Sequence, residues 1–328
     1  MNAAGRLGLY AGGVAVAFGA AFATAAAVVP DSAVAGWKSR SAASAGHGGM
    51  DMTPGNASAS SLDGVRGLSL ATDGLTLSPV TAPQASEVAG TLSFRVVDAT
   101  GTAVTGFAPS HEKKLHLIVV RADGSQFRHV HPDMDASGTW SIPWQWAQAG
   151  TYRVFADFVP AGTRNAPAIT LTRTVQVAGA FTPVTQPDSR ASDDVDGYHV
   201  TITGELAAGA TGDLAITVTK DGRPVTTLEP YLGSFGHLVA LREGDLGYLH
   251  VHAETADPAP QDRAGPTIRF AAAVPTGGRY LLYLDFQVDK QVHTAEFVLV
   301  AATGATTVTP NPGPSPSAGS NSHGHSGH

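Results

Sequence analysis

The feature that most constrains this chain is an internal repeat, because two similar halves are expected to fold into two similar units. The first half carries KKLHLIVVRADGSQFRHVH and the second carries FGHLVALREGDLGYLHVH. In each half two histidines lie 13 positions apart, and a third follows two residues later. Further along, TYRVFADF matches RYLLYLDF, which places Asp157 opposite Asp285. The repeat predicts two domains that carry the same histidine-bearing hairpin.

Both halves have the pattern of an all-β protein. Short segments rich in Val, Thr, Tyr, Phe and Leu are separated by turn signals such as DG, EGD and TGG. The 38 Gly and 21 Pro among 328 residues favour a turn-rich fold. We predict two tandem immunoglobulin-like β-sandwiches, at residues 66–180 and 190–303. In the second we expect strands near residues 197–204, 213–220, 236–242, 246–253, 267–274, 279–287 and 293–301.

The segment before the sandwiches is predicted to export the chain. Residues 1–35 contain an uncharged apolar run from Leu7 to Val29, followed by the cleavage-type pattern Ala33-Val34-Ala35. This hydrophobic helix is interpreted either as a removed signal peptide or as a membrane anchor that is retained. Either outcome places the remainder of the chain outside the cytoplasm, secreted or on the outer face of the cell membrane.

The segments that flank the sandwiches are predicted to be disordered. Residues 36–65 form a Gly- and Ser-rich linker that contains His47, Met50 and Met52, soft ligands suited to Cu(I). The alternative is that these side chains are incidental to a flexible tether. Residues 304–328 form a Pro- and Ser-rich tail that ends in three histidines, a second candidate metal tract.

Hairpin pairing is expected to bring the histidines of the first half together. A two-residue turn at Ala122-Asp123 places His116 opposite His129. Because alternate strand residues project to the same face, His131 joins them. Three imidazoles on one strand face can hold copper or zinc. His111 and Met134 are the candidates for a fourth ligand.

The second half predicts the same arrangement. A turn at Glu243-Gly244 places His237 opposite His250, with His252 beside them. His293 opens the last strand and is the candidate fourth ligand, so the second-domain site is the better supported of the two.

Two alternatives stay open at these sites. Asp157 and Asp285 either accept a hydrogen bond from the outer nitrogen of a ligand histidine or are ordinary strand-end residues. The histidines either bind a metal or are satisfied core residues, because His237 shares its face with Val239 and Leu241.

Composition excludes several classes of function. Without cysteine the chain has no disulfide and no thiolate metal site. A net charge of -7 with scattered basic residues argues against nucleic acid as a partner. No Ser/His/Asp grouping or phosphate loop stands out, so we expect no enzyme activity; redox chemistry at a metal is the one reaction class left open.

The two histidine segments, extended to HEKKLHLIVVRADGSQFRHVHPDMD and PYLGSFGHLVALREGDLGYLHVH, resemble actinobacterial secreted or membrane-anchored heavy-metal-associated proteins of the YtkA-like kind. Ala253 departs from that pattern, which commonly continues into Pro. The resemblance implies an immunoglobulin-like fold and a role in copper or heavy-metal handling. We therefore predict an extracytoplasmic copper-binding protein, with zinc as the other candidate ion and a protein partner for metal transfer. The alternative is a structural or interaction module at the membrane whose histidines are buried.

Overall fold

The structure, a computed structural model, describes residues 66–162, 166–249, 251–254 and 258–303, with the backbone alone at residue 252. Within these ranges there are strands but no helix, so none that is long and apolar enough to cross a membrane. The all-β class is confirmed. The predicted apolar helix, the linker and the tail lie outside the described residues.

The first sandwich begins after residue 70 and ends before residue 178. Its strands are β1 Ala71–Thr72, β2 Leu75–Leu77, β3 Ala89–Val97, β4 Phe107–Ala108, β5 His116–Arg121, β6 Arg128–Val130, β7 Asp133–Met134, β8 Thr139–Gln145, β9 Gly150–Pro160 and β10 Ile169–Val177. One sheet has the order β1-β2-β3-β8-β7, and the facing sheet has the order β10-β9-β5-β6, with β4 paired to β9.

The second sandwich repeats this plan. Its strands are β11 Ser192–Val195, β12 Tyr198–Thr203, β13 Leu206–Ala207, β14 Ala210–Lys220, β15 Arg223–Pro224, β16 His237–Arg242, β17 Tyr248–Leu249, β18 Val251–Ala253, β19 Thr267–Val274, β20 Gly278–Val288 and β21 Gln291–Ala302. The sheets run β11-β12-β14-β19-β18, with β15 paired to β14, and β13-β21-β20-β16-β17.

The strand order in both sandwiches is that of the immunoglobulin-like class. When β3, β5, β7, β8, β9 and β10 are taken as strands B, C, D, E, F and G, the first sandwich has sheets A-B-E-D and G-F-C-C′. The second matches it strand for strand, with β14, β16, β18, β19, β20 and β21 in those positions. The fold prediction is confirmed, and the predicted strands of the second sandwich lie within about three residues of the observed ones.

Each sandwich has its own core, and a third apolar cluster joins the two. Trp140, Trp144 and Trp146 are buried in the first core. The third cluster takes Ile118, Val120 and Phe155 from the first sandwich. From the second it takes Val239, Leu241, Leu246, Leu281, Tyr283 and Val298. The G-F-C-C′ sheets therefore pack against each other through their outer faces, so strands β5 and β20 are covered on both sides.

The contacts across this interface come in equivalent pairs. Phe127 stacks on Tyr283 with ring centroids 4.0 Å apart. The corresponding residues of the opposite halves, Tyr248 and Phe155, lie with ring centroids 6.0 Å apart. The two repeats thus meet through the same surface, which is the contact pattern of a two-fold dimer interface.

A hairpin loop from each half also reaches the opposite sandwich. The Tyr283 hydroxyl donates to the Gly124 carbonyl at 2.6 Å, and the Arg153 guanidinium donates to the Asp245 carbonyl at 3.2 Å. Gly124 has φ of 79°, and a Cβ there would lie 2.3 Å from Leu281 Cδ1. A side chain at this turn would strain the backbone and displace the Leu281 side chain of the opposite sandwich.

The register of both histidine hairpins differs from the prediction by two residues. His129 pairs with Ile118 instead of His116, and Tyr248 pairs with Leu241. The first loop is longer than a two-residue turn because the Asp123 carboxylate accepts hydrogen bonds from the backbone and hydroxyl of Ser125. Because a shift of two residues keeps each side chain on its face, the predicted clustering of the histidines survives the error.

Both hairpins end by crossing to the other sheet. After β6 the chain enters β7, which pairs with β8, and after β17 it enters β18, which pairs with β19. The backbone of His252 therefore belongs to the A-B-E-D sheet, opposite Ala271. The expectation that His252 continues the His237 hairpin is wrong, because the paired part of that hairpin ends at Leu249.

Candidate metal centre

Three imidazoles of the first sandwich converge on one point. His116 begins β5, His129 lies in β6, and His131 follows that strand before the crossing to the other sheet. His116 Nδ1 lies 3.0 Å from His129 Nε2 and 3.1 Å from His131 Nε2. One ring nitrogen from each residue lies within 4.8 Å of the others, which is close enough for a shared metal ion.

Outer hydrogen bonds determine which nitrogens of this cluster carry protons. His116 Nε2 donates to the Ser110 carbonyl at 3.0 Å, so in the neutral ring Nδ1 presents its lone pair to the cluster. His129 Nδ1 donates to Asp285 Oδ2 at 2.9 Å, so in its neutral ring Nε2 presents a lone pair. The inward nitrogens of two rings are therefore both acceptors.

Burial keeps the rings of His116 and His131 neutral. Desolvation and the neighbouring imidazoles lower the pKa of His116, which is 6% exposed, to about 2. Desolvation, His129 and Lys113 are the main causes that lower the pKa of His131 to about 3. Neutral imidazole is the form that binds a metal, so these two side chains would need to lose no proton to bind one near pH 7.

The second sandwich contributes two further groups. Asp285, 3% exposed, lies beside His237 in the β16–β20 pairing and reaches across the interface to His129. The ring centroid of His237 lies 6.3 Å from that of His116 and 6.1 Å from that of His129. The predicted second-domain site is thus not separate, since its first histidine faces the cluster of the first domain.

A cavity of about 290 Å³ adjoins the cluster. Its walls include His111, His116, His129 and His237 together with the carboxyl of Asp157. Desolvation, followed by the His129 and His111 charges, lowers the pKa of His237 to about 4. The cavity is lined by residues of both sandwiches and therefore lies at the domain interface.

The sequence shows which family this chain belongs to. The model of a family described as a domain of unknown function, DUF8832, matches residues 71–177 and again residues 193–303. The chain belongs to the DUF8832 family. The two matches coincide with the two sandwiches, so one sandwich is one DUF8832 repeat.

No curated protein matches the sequence. Among solved structures, the chain is similar to the Yersinia pseudotuberculosis adhesin InvE, at 11% identity and a TM-score of 0.20, over 70% of this chain and 60% of that one. It is similar to a Salmonella alpha-2-macroglobulin mutant, at 14% identity and a TM-score of 0.24, over 73% of this chain and 15% of that one. It is also similar to domains 5-6 of the S-layer protein SbsC, at 12% identity and a TM-score of 0.22, over 70% of this chain and 97% of that one. Similarities of this size carry no argument about function.

His293, the predicted fourth ligand of the second DUF8832 repeat, is part of that repeat's own core. Its Nδ1 donates to Asp196 at 2.7 Å, and its ring packs on Tyr198 and Phe286. It pairs with Phe286, one residue beyond Asp285, and so it projects to the opposite face from His237. That prediction is wrong because strand alternation separates the two histidines.

The other predicted ligands of the first repeat lie outside the cluster. The His111 ring centroid is 6.1 Å from His116 and 5.1 Å from His237, on the wall of the cavity. Met134 lies in β7 and packs on the first core, away from the histidine face.

Four predicted ligands lie outside the described residues: His250, His47, Met50 and Met52.

The two repeat aspartates differ in role. Both carboxylates accept a hydrogen bond from a threonine hydroxyl at 2.6 Å, Asp157 from Thr170 and Asp285 from Thr294. Asp285 also accepts one from His129 Nδ1, and burial raises the pKa of Asp157. Sequence reasoning missed the Ser110 carbonyl, which fixes the His116 tautomer, because a backbone acceptor six residues away has no sequence signature.

Proposed function

We propose that this protein binds one transition metal ion at His116, His129 and His131, with copper the first candidate and zinc the second. The observation that carries the proposal is the convergence of three ring nitrogens on one point, with two of the rings held by outer acceptors in the tautomer that directs a lone pair inward.

Protons alone satisfy this cluster poorly. An imidazole nitrogen has a single in-plane lone pair, so His116 Nδ1 accepts one linear hydrogen bond. Both His129 Nε2 and His131 Nε2 approach it within 3.1 Å, and His129 Nε2 carries no proton unless the ring is charged. A metal ion would accept all three lone pairs at once, and would remove the repulsion between two buried acceptors.

The spacing also suits a metal. Ligands at roughly 2.0 to 2.1 Å from one ion in tetrahedral directions lie about 3.3 Å apart. The observed separations of 3.0 and 3.1 Å need small outward shifts of the rings. Nitrogen ligands suit copper and zinc, and three protein ligands leave a further position on the metal for another ligand. The single histidine and the two methionines of the linker favour copper, because thioethers prefer Cu(I).

A second candidate function is structural. If His129 is protonated, its pair with Asp285 becomes a buried ion pair that joins the two sandwiches, and its Nε2–H donates a hydrogen bond to His116 Nδ1. The cluster would then hold the domains together without a metal, as an interaction module requires. This candidate predicts no bound metal at the cluster.

Metal content distinguishes the two. The full-length protein, purified in detergent because of its apolar amino-terminal segment, is incubated with Cu(II), Cu(I) or Zn(II), desalted and assayed by elemental analysis. We expect the double variant His116→Ala/His131→Ala to hold one metal equivalent fewer than wild type. The matched control is His199→Ala, which removes an exposed histidine paired with Asp194. Equal metal content in the double variant and wild type would refute the proposal and favour the structural clasp.

We further propose that the site works outside the cytoplasm, as a binding protein in metal homeostasis or transfer. The apolar segment Leu7–Val29 supports export, and the enclosed histidine cluster supports binding more than catalysis. A phosphatase fused after residue 328 is expected to be active in the producing cell, since this reporter folds outside the cytoplasm; an inactive fusion would contradict export.

A further inference from the structure

We propose that metal binding is coupled to the docking of the two DUF8832 repeats through Asp285. The inference rests on the proposed function. The three candidate ligands all belong to the first repeat, yet the acceptor that orients one of them belongs to the second. The centre is therefore complete when the sandwiches are docked and incomplete when they are apart.

Asp285 is held in place from its own side of the interface. Its Oδ1 accepts a hydrogen bond from the Thr294 hydroxyl at 2.6 Å, and its Oδ2 faces His129 Nδ1 at 2.9 Å. With 3% of its surface exposed, the carboxylate has little access to water. The position of the β20 strand thus fixes the position of the acceptor.

The chemical effect of this contact falls on His129 Nε2. A carboxylate beside Nδ1 accepts a hydrogen bond from the N–H there, which keeps the proton on Nδ1, leaves Nε2 unprotonated and raises the basicity of Nε2 as a ligand. When the repeats separate, His129 loses this partner and both tautomers become accessible. Metal affinity then falls.

The coupling is reciprocal. If docking strengthens metal binding by a given factor, metal binding strengthens docking by the same factor. A metal ion held wholly by side chains of the first repeat should therefore stabilise strands of the second. That behaviour separates the proposal from a site whose effects stay within one domain.

The test compares wild type with Asp285→Asn in the full-length protein. The asparagine amide can donate to His129 Nδ1 and so favours the tautomer with a proton on Nε2. We expect copper or zinc affinity, measured by chelator competition, to fall 10- to 100-fold, the range for loss of an outer-shell partner. The matched control is Asp196→Asn, which breaks another histidine–carboxylate pair, that of His293, away from the centre. Its affinity should stay within about threefold of wild type.

A second measurement reports on docking. In hydrogen exchange, metal loading should slow exchange of the β20 segment Gly278–Val288 in wild type and leave it unchanged in Asp285→Asn. Protection confined to the first repeat would overturn the coupling, as would unaltered affinity in Asp285→Asn. If Asp285→Asn does not fold, Thr294→Val takes its place, because it keeps the Asp285 carboxylate and removes the hydroxyl that donates to it. We expect Thr294→Val to lower the metal affinity several-fold. Unchanged affinity would refute the proposal. Wild type that holds no more metal than His116→Ala/His131→Ala would instead refute the proposed function.

Discussion

Acidification should destabilise the metal-free protein through two buried histidines. Burial lowers the pKa of His116 to about 2 and that of His237 to about 4, against about 6.5 in the unfolded chain. As the pH falls below about 6.5 the unfolded chain takes up these protons first, so stability decreases. Each group contributes about 1.4 kcal/mol per pH unit, which gives a loss of about 5 kcal/mol for the pair between about pH 7 and pH 4.5.

Urea unfolding followed by tryptophan fluorescence at several pH values measures this loss. Comparison with the variant His116→Asn/His237→Asn isolates the histidine contribution, because Asp157 has a raised pKa and acts in the opposite direction. The difference in the free energy of unfolding between wild type and variant should shrink by about 5 kcal/mol as the pH falls. His199→Asn, at an exposed position, is the matched control for replacing a histidine by asparagine. A wild-type protein that loses no more stability with acid than the double variant would refute the assignment of these rings as neutral and buried.

Further outcomes follow from the interface and the core. Tyr283→Phe should lower the free energy of unfolding by about 1 kcal/mol in urea titrations and speed proteolysis between the sandwiches. Tyr280→Phe, which loses a similar bond within one sandwich, should leave that proteolysis rate unchanged; equal acceleration would contradict the assignment. Ile118→Ala removes a fully buried side chain of the interface cluster and should cost about 2 to 5 kcal/mol in the same titration. His293→Ala should lower the melting temperature while elemental analysis finds the metal content of wild type, and a missing equivalent would return His293 to the ligand set.

The alternation and turn signals of the sequence predicted most of the strands and the three histidines of the first repeat that cluster. They did not predict the contact of that cluster with the second repeat. Strand alternation placed His116, His129 and His131 on one face, and that face survived an error of two residues in register. The spacing of the repeat also predicted that Asp285 is equivalent to Asp157. The register of the first hairpin could not be predicted because it depends on side chains in the loop. There the Asp123 carboxylate accepts a hydrogen bond from the Ser125 backbone, and the turn is longer than two residues.

The domain interface was missed because it depends on contacts between distant parts of the chain. A signal was present in the uninterrupted apolar runs HLIVV of β5 and YLLYL of β20, since a strand covered on both faces need not alternate. The alternative that His237 shares its face with the core of its own sandwich is wrong, because Val239 and Leu241 on that face pack against the other repeat. The partner of His129 could not be predicted without knowing that the two sheets meet.

The pairwise equivalence of the interface contacts has a consequence for how the two halves can differ. One repeat alone would expose the apolar face that carries Val239 and Tyr283, and we expect it to associate with a second copy. In the tandem chain that partner is attached, at an effective concentration set by the short connecting segment. The protein is then a covalently joined dimer whose halves need not match. One half carries the three-histidine cluster while the other supplies the carboxylate that contacts it.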